Sequence, residues 1–135
     1  MKSFHKLLGQ EGERIAERYL KAQGLVPVLK NARQTRGEID LIFSDDEHLI
    51  FVEVKTMTEK STAFFGTPSL KVDREKRRRI TLAAAEFLHR NAPFFQHLYP
   101  RFDVVEVTLS ETGAKINHIP NAFEAEDGFH KKKLF

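Results

Sequence analysis

Gly37-Glu38-Ile39-Asp40-Leu41-Ile42-Phe43, then Ser44-Asp45-Asp46-Glu47-His48, then Leu49-Ile50-Phe51-Val52-Glu53-Val54-Lys55: two apolar runs flank a short polar link. Runs of this kind, joined by a few turn-forming residues, predict a β-hairpin. Charge interrupts both strands, at Asp40 in the first and at Glu53 and Lys55 in the second. Charged side chains are rarely buried unless they are paired or hold a metal. Side chains of a strand alternate between its two faces. Glu53 and Lys55 therefore share one face of the second strand, and Ile50, Val52 and Val54 share the other. On the first strand Glu38, Asp40 and Ile42 share a face, opposite Ile39, Leu41 and Phe43. If the apolar faces of both strands meet one core, Asp40, Glu53 and Lys55 converge on the opposite side.

Two neighbouring carboxylates repel each other unless a positive charge lies between them. Mg²⁺ suits that place, because it prefers oxygen ligands and keeps several of its waters. A bound metal polarises a phosphoryl oxygen and acidifies its water. A lysine two residues on can hold that water in line or steady the charge that develops. These are the parts of metal-assisted phosphodiester hydrolysis. The same three residues would serve equally as an ion-pair cluster on a solvated face of an antiparallel sheet, and a short motif does not separate the two readings.

The chain has 135 residues, which predicts one domain with a core over about residues 9–120 and a tail over 121–135. Hydrophobic residues make up 41% and charged residues 30%, the balance of a globular rather than a fibrous or disordered chain. The formal net charge is +3 and the sequence pI is about 9.2, which is compatible with a polyanionic partner. Cysteine is absent, which excludes a disulfide framework and a thiolate metal site and fits a cytoplasmic setting. The start, Met1-Lys2-Ser3-Phe4-His5-Lys6-Leu7-Leu8, lacks the apolar stretch of a secretory leader. No apolar run approaches the roughly 18 residues of a membrane span.

Taken in order, apolar spacing predicts a helix from about Gly9 to Gln23, stopped by Gly24. Glu13 sits at the edge of its apolar stripe, as a first-turn acid or as a third carboxylate of the site. Leu25 to Leu29 read as a strand, in which Pro27 favours a sheet edge or a strand start. Asn31 to Gly37 read as a polar turn carrying Arg33 and Arg36 toward Asp40. Thr56, directly after Lys55, is a candidate phosphate contact. Thr56 to Leu70 read as a loop holding Phe64 and Phe65. A second helix is predicted from Asp73, its N-cap, to about Arg90, with Ile80, Ala83, Ala84, Phe87 and Leu88 inward. Lys76 lies on that stripe, one turn before Ile80, and points toward the carboxylates. Lys71, Arg74, Arg77, Arg78 and Arg79 form the densest positive patch in the chain, suited to phosphate. Asn91 to Pro100 read as a connector, Arg101 to Leu109 as a strand with Asp103 placed to cap an arginine or to support the site from behind, and Lys115 to Ile119 as a last short strand. The end, His130-Lys131-Lys132-Lys133-Leu134-Phe135, is a frayed basic tail or a peptide ligand for a protein partner.

Gly9-x-x-Gly12-Glu13-x-x-Ala16, Gly37-Glu38-Ile39-Asp40-Leu41-Ile42, Phe51-Val52-Glu53-Val54-Lys55-Thr56, Phe65-Gly66-Thr67-Pro68, Lys76-x-Arg78-Arg79-Ile80 and Arg101-Phe102-Asp103-Val104-Val105 together resemble the bacterial YraN family of uncharacterised proteins. That family in turn resembles the PD-(D/E)-x-K nucleases, which include restriction endonucleases and archaeal Holliday junction resolvases. The resemblance implies an α/β, restriction endonuclease-like fold, with a mixed central sheet flanked by helices. It also implies a Mg²⁺ or Mn²⁺ site made by Glu13, Asp40 and Glu53, with Lys55 as the fourth catalytic residue and Lys76 in support. Two positions depart from the pattern: Ile39 stands where the nuclease motif has proline, and Met57 where the family often has arginine.

The sequence thus leads to the expectation of a metal-dependent nuclease of DNA, branched or structured DNA included, with Lys71, Lys76, Arg77, Arg78, Arg79, Arg36 and Thr56 on the nucleic acid. A homodimer would suit cleavage of both strands at a junction. The rival expectation is a module of the same fold that binds nucleic acid or protein without cutting.

Overall fold

The predicted hairpin forms the middle of a five-stranded sheet. The computed structural model describes residues 3–60 and 73–125. Its elements are α1 (Phe4–Ala22), β1 (Val26–Gln34), β2 (Gly37–Ser44), β3 (His48–Thr58), α2 (Arg74–Arg90), the short α3 (Ala92–Phe95), β4 (Tyr99–Ser110) and β5 (Gly113–Phe123). The strands lie in the order β1-β2-β3-β4-β5. β3 and β4 are parallel and the other neighbours antiparallel. This is an α/β architecture with a mixed sheet flanked by helices, consistent with a restriction endonuclease-like fold.

The β2–β3 turn is closed by Asp45, whose Oδ1 accepts from the backbone N–H groups of Glu47 and His48 at 2.8 and 2.6 Å. α1 begins at an N-cap, Ser3, whose hydroxyl oxygen accepts from Lys6 N–H, so the helix starts ahead of the Gly9 expected from the sequence. It ends where expected, with Gly24 in the left-handed region at φ 91°. α2 is capped by Asp73, again through Lys76 N–H.

Both faces of the sheet are covered, which corrects the single-core picture. Ala16 and Leu20 of α1 pack on Leu41, Phe43, Ile50, Val52, Val105 and Val107. Ile80, Ala83, Ala84, Phe87 and Leu88 of α2 pack on Ile42, Leu49, Phe51, Phe102 and Val104. Consecutive residues of β2 and β3 therefore serve opposite cores, and a run such as Leu49 to Val52 is apolar throughout because water reaches neither side. α1 settles close to β3 at Gly12, where a Cβ would collide with the Thr56 side chain.

Other boundaries also differ from the sequence reading: β3 runs on to Thr58, into the stretch from Thr56 that read as a loop. β1 continues through Asn31 to Gln34, leaving only Thr35 and Arg36 as the turn before β2. The stretch from Asn91 to Pro100 contains a helical turn, and β5 continues past Ile119 to Phe123, whose ring stacks on Phe102 with centroids 5.1 Å apart. Lys71, Phe64 and Phe65 and the tail from His130 to Phe135 lie outside the described residues. Among the described residues no helix is long and apolar enough to cross a membrane.

Candidate functional site

β2 and β3 are paired from Leu41–Val52 to Ser44–Leu49, and the ladder stops there. At the next residue of β2, Asp40 Oδ2 accepts from Val54 N–H at 2.8 Å, so a side chain takes the place of a strand partner and the two strands part. The same point interrupts the alternation of β2: Ile39 joins Ile42 in the core under α2, whereas strict alternation would set it with Leu41 and Phe43 under α1. The parting matters because it opens the sheet to groups from both helices. Glu53 faces α2 and is only 8% exposed, and its Oε1 meets Lys76 Nζ at 2.5 Å. From the other side, α1 presents Glu13, half-buried.

The electrostatics follow from that crowding. Asp40 is pushed up to about 7, by burial first and then by the charge of Glu53, with a smaller push from Glu13; the Val54 N–H and Lys76 pull the other way. Glu13 is also raised, by burial first and then by Glu38 and Glu53. The Val54 N–H and Lys76 thus offset the crowding of Asp40 only in part, and its carboxyl stays raised. Among the described residues no group of three or more histidine and acidic side chains is drawn together as a ready metal cage. The oxygen donors Asp40 and Glu53 suit Mg²⁺ or Mn²⁺ in the open manner in which Mg²⁺ is usually held, by one or two carboxylates with waters and phosphate completing the shell.

The other expected residues divide by face. Lys55 is half-buried and follows Glu53 by two, on its face. Lys76 points at the carboxylates, as its place on the helix stripe implied. Arg77 is half-buried, and Arg78 and Arg79 are exposed on the first turns of α2. Arg36 is exposed in the β1–β2 turn, which α2 holds through Glu86 Oε2, the acceptor of Thr35 N–H at 2.7 Å. Thr56 lies on the opposite face from Lys55. Alternation puts it on the α1 face, beneath Gly12.

Two residues near the site were missed. Glu106 is buried on β4 as the ladder partner of Lys55. Its Oε1 accepts from Asn117 Nδ2 at 3.1 Å, and among the described residues its Oε2 has no hydrogen-bond partner. The signal was present, since Glu106 interrupts an apolar run just as Asp40 and Glu53 do. Asn31 carried no comparable signal, because it stood in what read as a polar turn. With its amide oriented so that both contacts are hydrogen bonds, its nitrogen donates to Glu13 Oε1 at 2.8 Å and Glu38 Oε1 at 3.0 Å.

Another buried acid, Asp103, is satisfied in full. Arg101 donates to both its oxygens at 2.9 and 2.8 Å, His118 Nε2 lies 2.8 Å from Oδ2, and Asn121 N–H donates to Oδ1 at 3.0 Å. Burial alone would raise this carboxyl, but His118, Arg101 and the Asn121 N–H outweigh it and hold it below the ordinary range. The ring of Tyr19 stands edge-on to His118 at 5.5 Å, so the network ties β5 and β4 to α1. The expectation that Asp103 engages an arginine is met.

Comparison with known proteins bears on the whole assembly. A model of the uncharacterised protein family UPF0102 matches residues 12–107, a span that runs from just before Glu13 into the last third of β4. A UPF0102 protein of Geobacter metallireducens is 38% identical over 124 residues, covering 92% of this chain and 98% of its own. One from Alkaliphilus oremlandii is 40% identical over 119 residues, covering 88% and 99%. One from Treponema pallidum is 36% identical over 127 residues, covering 92% and 98%.

Proposed function

The chain belongs to the uncharacterised protein family UPF0102, the YraN family, and from the acidic site at the parting of β2 and β3 we propose that it is a divalent-metal-dependent nuclease acting on DNA, branched or structured DNA included. One observation carries this reading: Asp40 and Glu13 are both raised by burial and by acidic neighbours, Glu53 among them, although Lys76 stands against Glu53. A buried acid in a structural role is treated differently, as Asp103 illustrates: its donors hold it below the ordinary range.

Asp40 and Glu53 would hold Mg²⁺ or Mn²⁺, which supplies a polarised phosphoryl oxygen and an acidified water when bound. Asp40 keeps Oδ2 on the Val54 N–H, which fixes the carboxylate and would leave Oδ1 for the cation. Lys76 pairs with Glu53 and would be placed to meet the phosphate if the metal took the carboxylate. Lys55, on the same rigid strand, orients the attacking water or steadies the charge on the phosphoryl oxygens. Glu13 joins from α1, directly or through a water. Arg77, Arg78 and Arg79 on α2, with Arg36 in the turn that α2 holds, engage the backbone phosphates; Lys71 belongs to the same set by sequence. Such contacts make binding steeply salt-dependent.

The test is a cleavage assay at low salt with Mn²⁺ or Mg²⁺, on labelled single-stranded, duplex and four-way-junction DNA and on a structured RNA, with Asp40→Ala and Lys55→Ala alongside. Cleavage that needs the metal and disappears in both variants supports the nuclease and identifies its substrate. Binding without cleavage, equal in all three proteins, would replace it with a non-catalytic module working through the basic turns of α2.

A further inference from the structure

We propose that Asn31 is a positioning residue of the acidic site, one that fixes Glu13 Oε1 and leaves the remaining oxygen and the full negative charge of Glu13 to the divalent cation; this rests on the metal-site reading above. Asn31 lies within β1 with its backbone in the left-handed region, φ 51°. Few residues other than glycine adopt that region readily, and asparagine is one of them. The flanking ladder pairs, Lys30 with Leu41 and Ala32 with Ile39, set Asn31 opposite Asp40. An edge strand with no carboxylate of its own in the site thus delivers a hydrogen-bond donor beside it.

The chemistry of the donor is what gives it a role. An amide nitrogen carries two hydrogens and no charge. Here one goes to Glu13 Oε1 at 2.8 Å and the other to Glu38 Oε1 at 3.0 Å. Glu38 is itself 3.8 Å from Arg33, so a short chain of contacts links the β1–β2 edge to the helix glutamate. A lysine or arginine in the place of Asn31 would bind Glu13 more strongly, but it would also compete with a cation for the charge. A neutral donor fixes the carboxylate without cancelling it, and groups that orient ligands in this way typically change metal affinity by about 10- to 100-fold when removed.

The experiment is calorimetric titration of the full chain with Mn²⁺, without nucleic acid, for wild type, Asn31→Gly, Glu13→Gln and the double variant. Glycine keeps the left-handed backbone at no steric cost, so the substitution removes the amide alone. Asn31→Gly is expected to weaken Mn²⁺ binding about tenfold, the lower end of the range because Asn31 is exposed. In the Glu13→Gln background the same substitution is expected to change nothing further. Wild-type affinity in Asn31→Gly would overturn the role of Asn31 and leave the metal site standing, and so would an equal loss with and without Glu13. A wild-type protein that binds no Mn²⁺ would overturn the metal site and this role with it.

Discussion

Asp40 and Asp103 stand on strands of the same sheet and are treated in opposite ways. Asp103 is wholly buried yet has a donor for each oxygen, and it stays ionised as a brace between β4, β5 and α1. Asp40 has one backbone donor and two acidic neighbours, and it is pushed up from an ordinary 3.8 to about 7. The consequence for stability has a definite sign. Between about pH 4 and pH 7 Asp40 is ionised in the unfolded chain and protonated in the folded one, so folding takes up a proton and stability falls as pH rises through that window. Asp40→Asn should remove this part of the decline. Thermal melts of the two proteins from pH 4 to 8 should therefore show the variant gaining on wild type as pH rises, and parallel curves would disprove the assignment. At this scale the sequence was informative wherever a charge interrupted an apolar run. It was silent on Asn31, whose importance lies in a backbone angle and two contacts from elements far apart in the chain.

α1 owes its place on the sheet to an absence. Gly12 lets the helix axis come down until the Thr56 side chain fills the space where a Cβ would be, and Glu13 is the next residue along. Gly12→Ala would gain about 1 kcal/mol of helix propensity in isolation. The clash with the Thr56 side chain and the strand behind it costs about 1–3 kcal/mol, as overpacking does, and should outweigh the gain. Chemical denaturation should show a lower midpoint for Gly12→Ala, and Gly12→Ala combined with Thr56→Gly should recover part of the loss. The elements themselves were legible unevenly. Helix stripes and the central hairpin announced themselves because burial imposes a period. The second half of β1 did not, since Lys30 to Gln34 form the outer strand, where hydrogen bonds to β2 alone keep polar residues extended. The first turns of α1 escaped notice for a related reason: Phe4 and Leu7 are apolar but exposed, so they carry no inward pattern.

For the molecule as a whole, the deciding feature is that helices cover both faces of the sheet. The unbroken apolar run Leu49 to Val52 held that information, although alternation within a two-stranded hairpin gave it a one-sided meaning. Charge was legible at this scale only as a sum. The net charge of +3 is small, but α2 gathers Arg74, Lys76, Arg77, Arg78 and Arg79 at one end, next to the carboxylates.

The parallel pairing of β3 with β4 sets a timetable for folding. The β2–β3 hairpin closes over a short loop, which is quick, whereas β4 must return alongside β3 after the whole of α2 has been laid down, with a larger loss of chain entropy. Asp40 and Glu53 are therefore near each other early, but as two hydrated carboxylates with little hold on a cation. Glu13 and Lys76 reach them only when both helices dock. A divalent ion should accordingly act on the way out of the native state rather than on the way in. In stopped-flow denaturation, Mn²⁺ is expected to slow unfolding and to leave the refolding rate nearly unchanged, with neither effect in Asp40→Ala. Faster refolding with Mn²⁺ would mean that the site is already assembled when the barrier is crossed.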